Sequence, residues 1–429
     1  MNFIKKYNIY YNIPVYLILL FPFFFIMGAT FVEIASFVII IFFFRSANKE
    51  FYKKNIFYIN IFLFFYLYLI FRSFFFTFDF DKIKSIIFYF RYLFFTCAMV
   101  FFIGRIDSKK KYFIDYIFLI FLTLILDSIF QYYYGKNIFN ISLNDPFRPS
   151  SFFGKELVLG SFLFRFLPFI FMCLFLLKLN LKNNILKLSI FFSLYFFTIL
   201  IAGERTAFFS LSLMIFLFLI LIKDLRKILF YSLLIFLILS FVASFHSKNP
   251  YERMFGETFN QIYKKVKIND NNKEAITSNN IPFASSKYYF FSEQHHGHYV
   301  VAVRMFLENP LFGQGPRSFR YLCSEERFLK TDGICTTHPH HLFLQILAET
   351  GLFGFFFIFT LLIFSLKGIF SFNNNINNLS QIRCISLIAI FVSLFPFVPS
   401  GNFFNNWLSF IYYYPIAFYI YSTNNLNTK

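Results

Sequence analysis

All seven histidines of the sequence lie between residues 246 and 341: His246, His295, His296, His298, His338, His340 and His341. Six of them form two short clusters, HHGH at 295–298 and HPHH at 338–341. Imidazole changes protonation near neutral pH, so such clusters suit a general base or a hydrogen-bonding partner for a hydroxyl. They also suit zinc, but no Cys or carboxylate accompanies either cluster at structural-site spacing, so no metal and no cofactor is expected. Surface histidines without a chemical role are the remaining reading. In THPHHLFLQILAETGLFG (337–354), Pro339 fits the first position of a helix, with His338 as its cap and His340 and His341 in the opening turn. That register stacks His341, Gln345 and Glu349 on one face and aims the positive end of the helix dipole at the imidazoles.

Arginines supply the complementary chemistry. Arg72, Arg91, Arg148, Arg165 and Arg205 all fall in the outer halves, or near the outer ends, of apolar stretches. Burying a guanidinium near lipid is costly, and a group of them matches the geometry of phosphate through paired hydrogen bonds. Each alone could instead snorkel or pair, as Glu204 could with Arg205. Cys323 and Cys335 stand twelve positions apart, whereas Cys97, Cys173 and Cys384 lie within apolar stretches. In an oxidising compartment the first two can form a disulfide contributing roughly 3 kcal/mol; two free thiols are the alternative.

The elements that must carry these residues are membrane helices. The 429-residue chain is 58% hydrophobic, 25% aromatic and only 14% charged, with seventy-eight Phe and a mean hydropathy of +0.62. So much apolar surface exceeds what one core hides, and a water-soluble globule is excluded. Apolar stretches predict an all-α membrane protein of about twelve spans, near 12–29, 30–44, 55–77, 85–103, 112–134, 157–177, 186–202, 206–222, 228–245, 341–366, 380–398 and 403–422. The first two touch at Gly28, where a re-entrant hairpin would alter the count. The chain then divides into spans one to nine (1–245), an external loop with a partly helical portion (246–340) and spans ten to twelve (341–429). No cleavable signal peptide and no internal repeat is expected.

Short loops on one side carry about nineteen Lys and Arg, among them Arg45, Lys109, Lys182, Arg226 and Arg383, against about six on the other: Lys82, Lys84, Lys136, Arg148, Lys155 and Arg205. The positive-inside rule makes both termini cytoplasmic and the 246–340 loop external, and it accounts for most of the net charge of +19 without nucleic acid. Within the loop, KKVKINDNNKEAITSNNIP reads as polar and mobile, and HYVVAVRMFLENPLFGQGP as a helix ending in a Pro/Gly turn. Deep in the bilayer the sequence offers few ionisable groups beyond Asp115 and Asp127. A transporter, which needs polar groups along a path through the membrane, is therefore the weaker alternative.

Four segments, in order, carry a family resemblance: RPSSFFGKELVLGSFLFRFLP (148–168), GERTAFFS (203–210), RMFLENPLFGQGPRSF (304–319) and THPHHLFLQILAETGLFG. With these the chain resembles the O-antigen ligase and O-antigen polymerase superfamily of bacterial envelope glycosyltransferases. The resemblance implies transfer of a glycan from an undecaprenyl-diphosphate carrier to an acceptor hydroxyl, on lipid A core or on a second glycan, at the periplasmic face of the inner membrane. It implies Arg205 and Arg304 as diphosphate-binding residues and His338 and His340 as the catalytic pair, and Arg148 of the arginine group would help to bind the diphosphate. Direct attack by one acceptor would invert the anomeric carbon, with no metal. The family has Asn where this chain has His341, so His341, like Arg91 and Arg165, is an accessory candidate. Arg317 and Arg320 match no family residue and read as surface cations. Ligation is preferred over polymerisation, and both over a lipid-linked glycan flippase.

Overall fold

A computed structural model of the chain describes residues 2–77, 79–106, 112–145, 148–246, 249–256, 292–372 and 377–426. The polar run at 264–282 lies outside them. The described residues are helical without a named strand. In order, the membrane part comprises α1 (Asn2–Leu19), α2 (Phe21–Met27), α3 (Ala29–Ser46), α4 (Lys49–Phe76), α5 (Phe80–Ile87), α6 (Arg91–Ile103), α7 (Tyr112–Tyr134), α8 (Leu159–Leu176), α9 (Ile185–Ile201), α10 (Arg205–Leu221) and α11 (Arg226–Ser244). The helices between the two membrane parts, called the outer helices after the sequence reading, are α12 (Glu293–Glu308), α13 (Phe319–Leu322) and α14 (Glu326–Leu329), and the chain then continues as α15 (Leu342–Phe370), α16 (Asn378–Ser393) and α17 (Asn406–Leu426).

Among the described residues eight helices are long and apolar enough to cross a bilayer, fewer than the about twelve expected. Most of the difference has local causes. Gly28, at φ +114°, ends a seven-residue α2 and turns the chain into α3, while α10 and α16 are apolar but only 17 and 16 residues long. The hydrophobic sequence of α8 presents no polar face, and nearly all its residues are buried among α9, α10, α16 and α17. On α4 and α11, by contrast, Phe57, Phe64, Leu67, Phe75, Phe241 and Val242 point outward, where only lipid can cover them.

The outer helices have a small core of their own: Val301, Ala302, Met305, Phe319, Cys323 and Phe328, closed by Ala348 of α15. Cys323 and Cys335 are joined, their Cα atoms 5.1 Å apart. This unit is fastened to the membrane part by an interlock of two glycine turns. Gln314 and Gly315 donate to the carbonyls of Ala348 and Glu349 (both 2.9 Å), and Leu352 and Phe353 donate back to Pro310 and Leu311 (2.8 and 3.2 Å). The bonds need α15 to open, and it does so at Gly351, with φ +63° and ψ −164°. A side chain at Gly313 or Gly351 would place its Cβ about 2.4–2.5 Å from the opposing backbone. From α4, Arg72 donates to the carbonyls of Phe312 and Gly313, and Tyr68 to that of Thr350, clamping both turns.

Asp127 tethers the segment that follows α7. Its carboxylate accepts from Ile138 N–H (2.9 Å) and the Ser151 hydroxyl, while Gln131 one turn later accepts from Ser150 and Ser151 N–H (2.9 and 2.6 Å). Together they pin the segment that carries Arg148 onto α7.

Candidate functional site

The two histidine clusters, some forty residues apart in sequence, meet in space. Ser292 caps α12, and the three-residue step from His295 to His298 puts both imidazoles on one helix face. Gly297 lets the 334 segment lie directly on that helix, for a Cβ there would sit 2.6 Å from the Ile334 side chain. Across from it, His340 has ring-centre distances of 4.0 Å to His338, 5.4 Å to His298 and 5.7 Å to His295. Hydrogen bonds fix the rings: His298 Nδ1 to the Ile334 carbonyl (2.9 Å), His295 Nδ1 to Ser292 Oγ (2.7 Å) and His338 Nδ1 to Thr337 Oγ1 (3.0 Å). The His338 Nε2 is buried with no partner. Among the described residues no group of three or more His, Cys, Asp or Glu has the geometry to hold a metal.

His341, not His338, caps α15. His340 has φ +55°, which no helix can include, so helical backbone starts only at Leu342. His341 Nδ1 accepts from Leu344 N–H (3.3 Å), so its proton lies on Nε2, which donates to the Pro396 carbonyl (2.9 Å). Both nitrogens are thus committed to structure. Gln345 and Glu349 do share a buried face: Gln345 donates to Glu349 (3.1 Å) and Asn402 (2.8 Å), and Glu349 accepts from Phe319 N–H (3.2 Å).

Burial, reinforced by His340 and His298, pushes His338 down to about 3; burial with His298 and His295 pushes His340 down to about 4. Both are neutral at pH 7, each keeping a lone pair for a hydroxyl proton. Because these folded values lie below the ordinary 6.5, the stability they contribute is present above about pH 6.5 and is lost as pH falls through 4 towards 3. Acidification from pH 7 to 4 is therefore expected to raise protease sensitivity of 292–341, and His338→Asn to flatten that dependence. Glu204, raised by burial to about 7, acts with the opposite sign, so the difference between variant and parent isolates the imidazole contribution. Unchanged sensitivity across this range would contradict the assignment.

The arginines divide into a group and three structural residues. At the tight turn between α9 and α10, Gly203 (φ +66°) lies under the stems of Arg148 and Arg253, whose Cγ atoms would be 3.0 and 3.2 Å from a Cβ. Arg148 donates to the Ala202 and Leu157 carbonyls (3.3 and 3.4 Å), and Arg205 to that of Arg253 (3.5 Å). Glu204 does not pair with Arg205; its carboxylate accepts from Gly160 and Ser161 N–H (2.8 and 3.0 Å) at the start of α8. Arg165 lies on α8 one turn further in, bonded to Ser161 (3.3 Å). Arg148, Arg165, Arg205 and Arg253 thus surround one turn; Arg253 carried no signal in the sequence.

Arg304 is elsewhere, on the buried face of α12, donating to the Phe328 and Leu329 carbonyls (3.0 and 3.1 Å) and ion-paired with Asp332. Arg91 is held by Glu33 (3.0 Å), the Phe88 carbonyl (2.9 Å) and the Tyr92 hydroxyl (2.8 Å). Arg72 is spent on the glycine turn described above. The imidazoles and the arginine group flank one connection at the same end of the molecule. Phe209, one turn into α10 from Arg205, packs at a tilt against Phe395 (5.6 Å between ring centres), the Pro396 carbonyl accepts from His341, and Ser400 N–H donates to the His340 carbonyl (2.9 Å).

Residues 190–359 match the family model described as O-antigen ligase. That segment belongs to the O-antigen ligase superfamily. It holds both glycine turns, every described imidazole and Arg205, Arg253 and Arg304, but not Arg148 or Arg165. No curated protein matches the chain. With its apolar helices, the match indicates a multi-pass membrane protein that is similar, over residues 190–359, to the O-antigen ligase family. An apolar cavity of about 670 Å³ opens between α4, α6, α15 and α17, lined by residues such as Phe65, Phe357, Tyr412 and Tyr419.

Proposed function

We propose that the chain transfers a glycan from an undecaprenyl-diphosphate carrier to an acceptor hydroxyl at the periplasmic face of the bacterial inner membrane, by ligation to lipid A core. The observation that carries this reading is the meeting of HHGH and HPHH at the outer end of the molecule, inside the segment that matches the O-antigen ligase family. Neutral His340, with His338, orients the acceptor hydroxyl and receives its proton as the oxygen attacks the anomeric carbon. The bond to the diphosphate breaks as the new glycosidic bond forms, so the configuration inverts. Arg205 and Arg148, with Arg165 and Arg253 around the same turn, neutralise the departing diphosphate. No step needs a metal. Arg304 acts one layer back, holding the 328–332 segment beneath α12, and the apolar cavity has the character to receive part of a polyprenyl tail.

Arg205→Ala is expected to lower transfer at least about tenfold with membrane insertion intact, since one lost charge-assisted contact is worth about 1.5–3 kcal/mol. Arg205→Lys should recover only part, lacking the planar fork. Arg304→Ala should lower transfer and also raise protease sensitivity of the outer helices. Normal transfer by Arg205→Ala would remove it from the site. Deleting the protein from its host tests the reaction. Lost attachment with carrier-linked polymer retained supports ligation, and attached glycan cut to a single repeat supports the polymerase alternative. Unaltered envelope glycan contradicts both.

A further inference from the structure

Inside the arginine group stands a carboxylate to which the transfer reading gives no task. Glu204 lies on the turn itself, between Gly203 and Arg205, half-buried and facing Arg148 and Arg165. Among the described residues it forms an ion pair with neither. Its two oxygens accept instead from backbone in the first turn of α8, Oε1 from Gly160 N–H and Oε2 from Ser161 N–H (2.8 and 3.0 Å). The same Ser161 holds Arg165 through its hydroxyl (3.3 Å). Packing keeps the carboxylate where it is. Gly160 brings α8 so close to the turn that a Cβ there would lie 3.3 Å from Glu204 Oε1, 3.2 Å from Ala207 and 3.4 Å from Ala202.

Capping α8 does not account for the charge, because a neutral hydroxyl or amide oxygen also accepts from the open N–H groups of a helix start. Attraction to the arginines does not account for it either. Burial raises the carboxyl to about 7 against the pull of Arg148 and Arg165, so that pull is smaller than the cost of burying the charge. What a fixed charge does supply is a field. Four guanidiniums around one turn would hold a diphosphate tightly before transfer and just as tightly after it, and uniform binding of this kind does not speed the chemical step. A carboxylate that cannot collapse onto any one arginine lowers the pull of the whole group on a bound anion.

We propose that Glu204 sets the strength with which the arginine group holds a diphosphate, weakening it enough for the carrier to leave after transfer. It acts through the arginines and touches no reacting atom, so it tunes the site rather than performing the chemistry. That the departing anion is the carrier diphosphate rests on the transfer reading; the effect of Glu204 on diphosphate affinity is measured without it.

The test measures binding of inorganic pyrophosphate and of farnesyl diphosphate to the full chain in detergent, by calorimetry at pH 8, where the Glu204 carboxyl is ionised. Glu204→Gln removes the charge and keeps one acceptor; it is expected to bind both probes at least about threefold more tightly than the parent. Glu204→Asp keeps the charge on a shorter side chain and is expected to bind as the parent does. In turnover with a labelled carrier-linked glycan, Glu204→Gln should show a lower donor KM and a lower kcat, with stronger inhibition by added undecaprenyl diphosphate. Parental or weaker affinity of Glu204→Gln overturns the proposal, as does a kcat above the parent's or a parent that binds neither probe. A capping role alone would lower affinity and melting temperature together in both variants. Should Glu204→Gln melt lower than the parent, Glu204→Asp decides: parental affinity supports the proposal, and affinity that falls with melting overturns it. If Glu204→Gln binds more tightly while the parent moves no glycan, the transfer reading fails and the charge effect stands.

Discussion

Replacing His338 and His340 together by alanine is expected to lower glycan transfer by about 10²–10⁴-fold, the usual contribution of a positioned general base. The variant should keep its membrane insertion and its affinity for the carrier diphosphate, which the arginines hold. His341→Asn, which restores the family's usual residue, should transfer normally. Asn is also a good helix cap, so it can take over the bond from Leu344 N–H while giving up only the bond to Pro396. The comparison separates an imidazole that acts on substrate from one that caps a helix. Because His295 and His298 face His340, single substitutions there should have intermediate effects. Transfer by the His338/His340 double variant within about tenfold of the parent would refute the imidazole mechanism.

Gly351→Ala is expected to be as damaging by a different route. Its φ +63° and ψ −164° belong to a region that essentially only glycine occupies, and the new Cβ would meet Leu311 O at 2.4 Å. No flexible side chain can give way, since the obstacle is backbone. The loss should exceed about 3 kcal/mol, combining strain with the broken interlock. It would be read as failure of the outer helices to dock: early proteolysis of 292–341 and no transfer. Gly135→Asn is the control, because Gly135 also has positive φ (+84°) but nothing within 4 Å of a Cβ. A Gly351→Ala protein with parental protease resistance would contradict the interlock.

What the sequence revealed and what it withheld follow from the range of the interactions. Helices rich in Phe, the external run of histidines and the NPLFGQG and AETG segments are local patterns, readable directly. That the last two bond to each other through Gly313 and Gly351 depends on the path of thirty intervening residues, so the motifs were visible and their reason was not. The spacing of HPHH suggested a helix starting at Pro339; the left-handed His340, fixed through Ser400, moved the start to Leu342. Glu204 lies next to Arg205 in sequence, yet the two unpaired N–H groups opening α8 are a better partner for a buried carboxylate.

The central claim is that this chain by itself moves a glycan from carrier diphosphate to acceptor, with neutral imidazoles as base. It is tested most directly by reconstituting the purified protein in liposomes with a labelled undecaprenyl-diphosphate glycan and with either lipid A core or a second carrier-linked glycan as acceptor. The account predicts label on one acceptor, release of undecaprenyl diphosphate in equal amount, inverted configuration at the new linkage, and a rate that the His338/His340 variant lacks. Label that stays on the carrier with both acceptors while the protein is folded would contradict it.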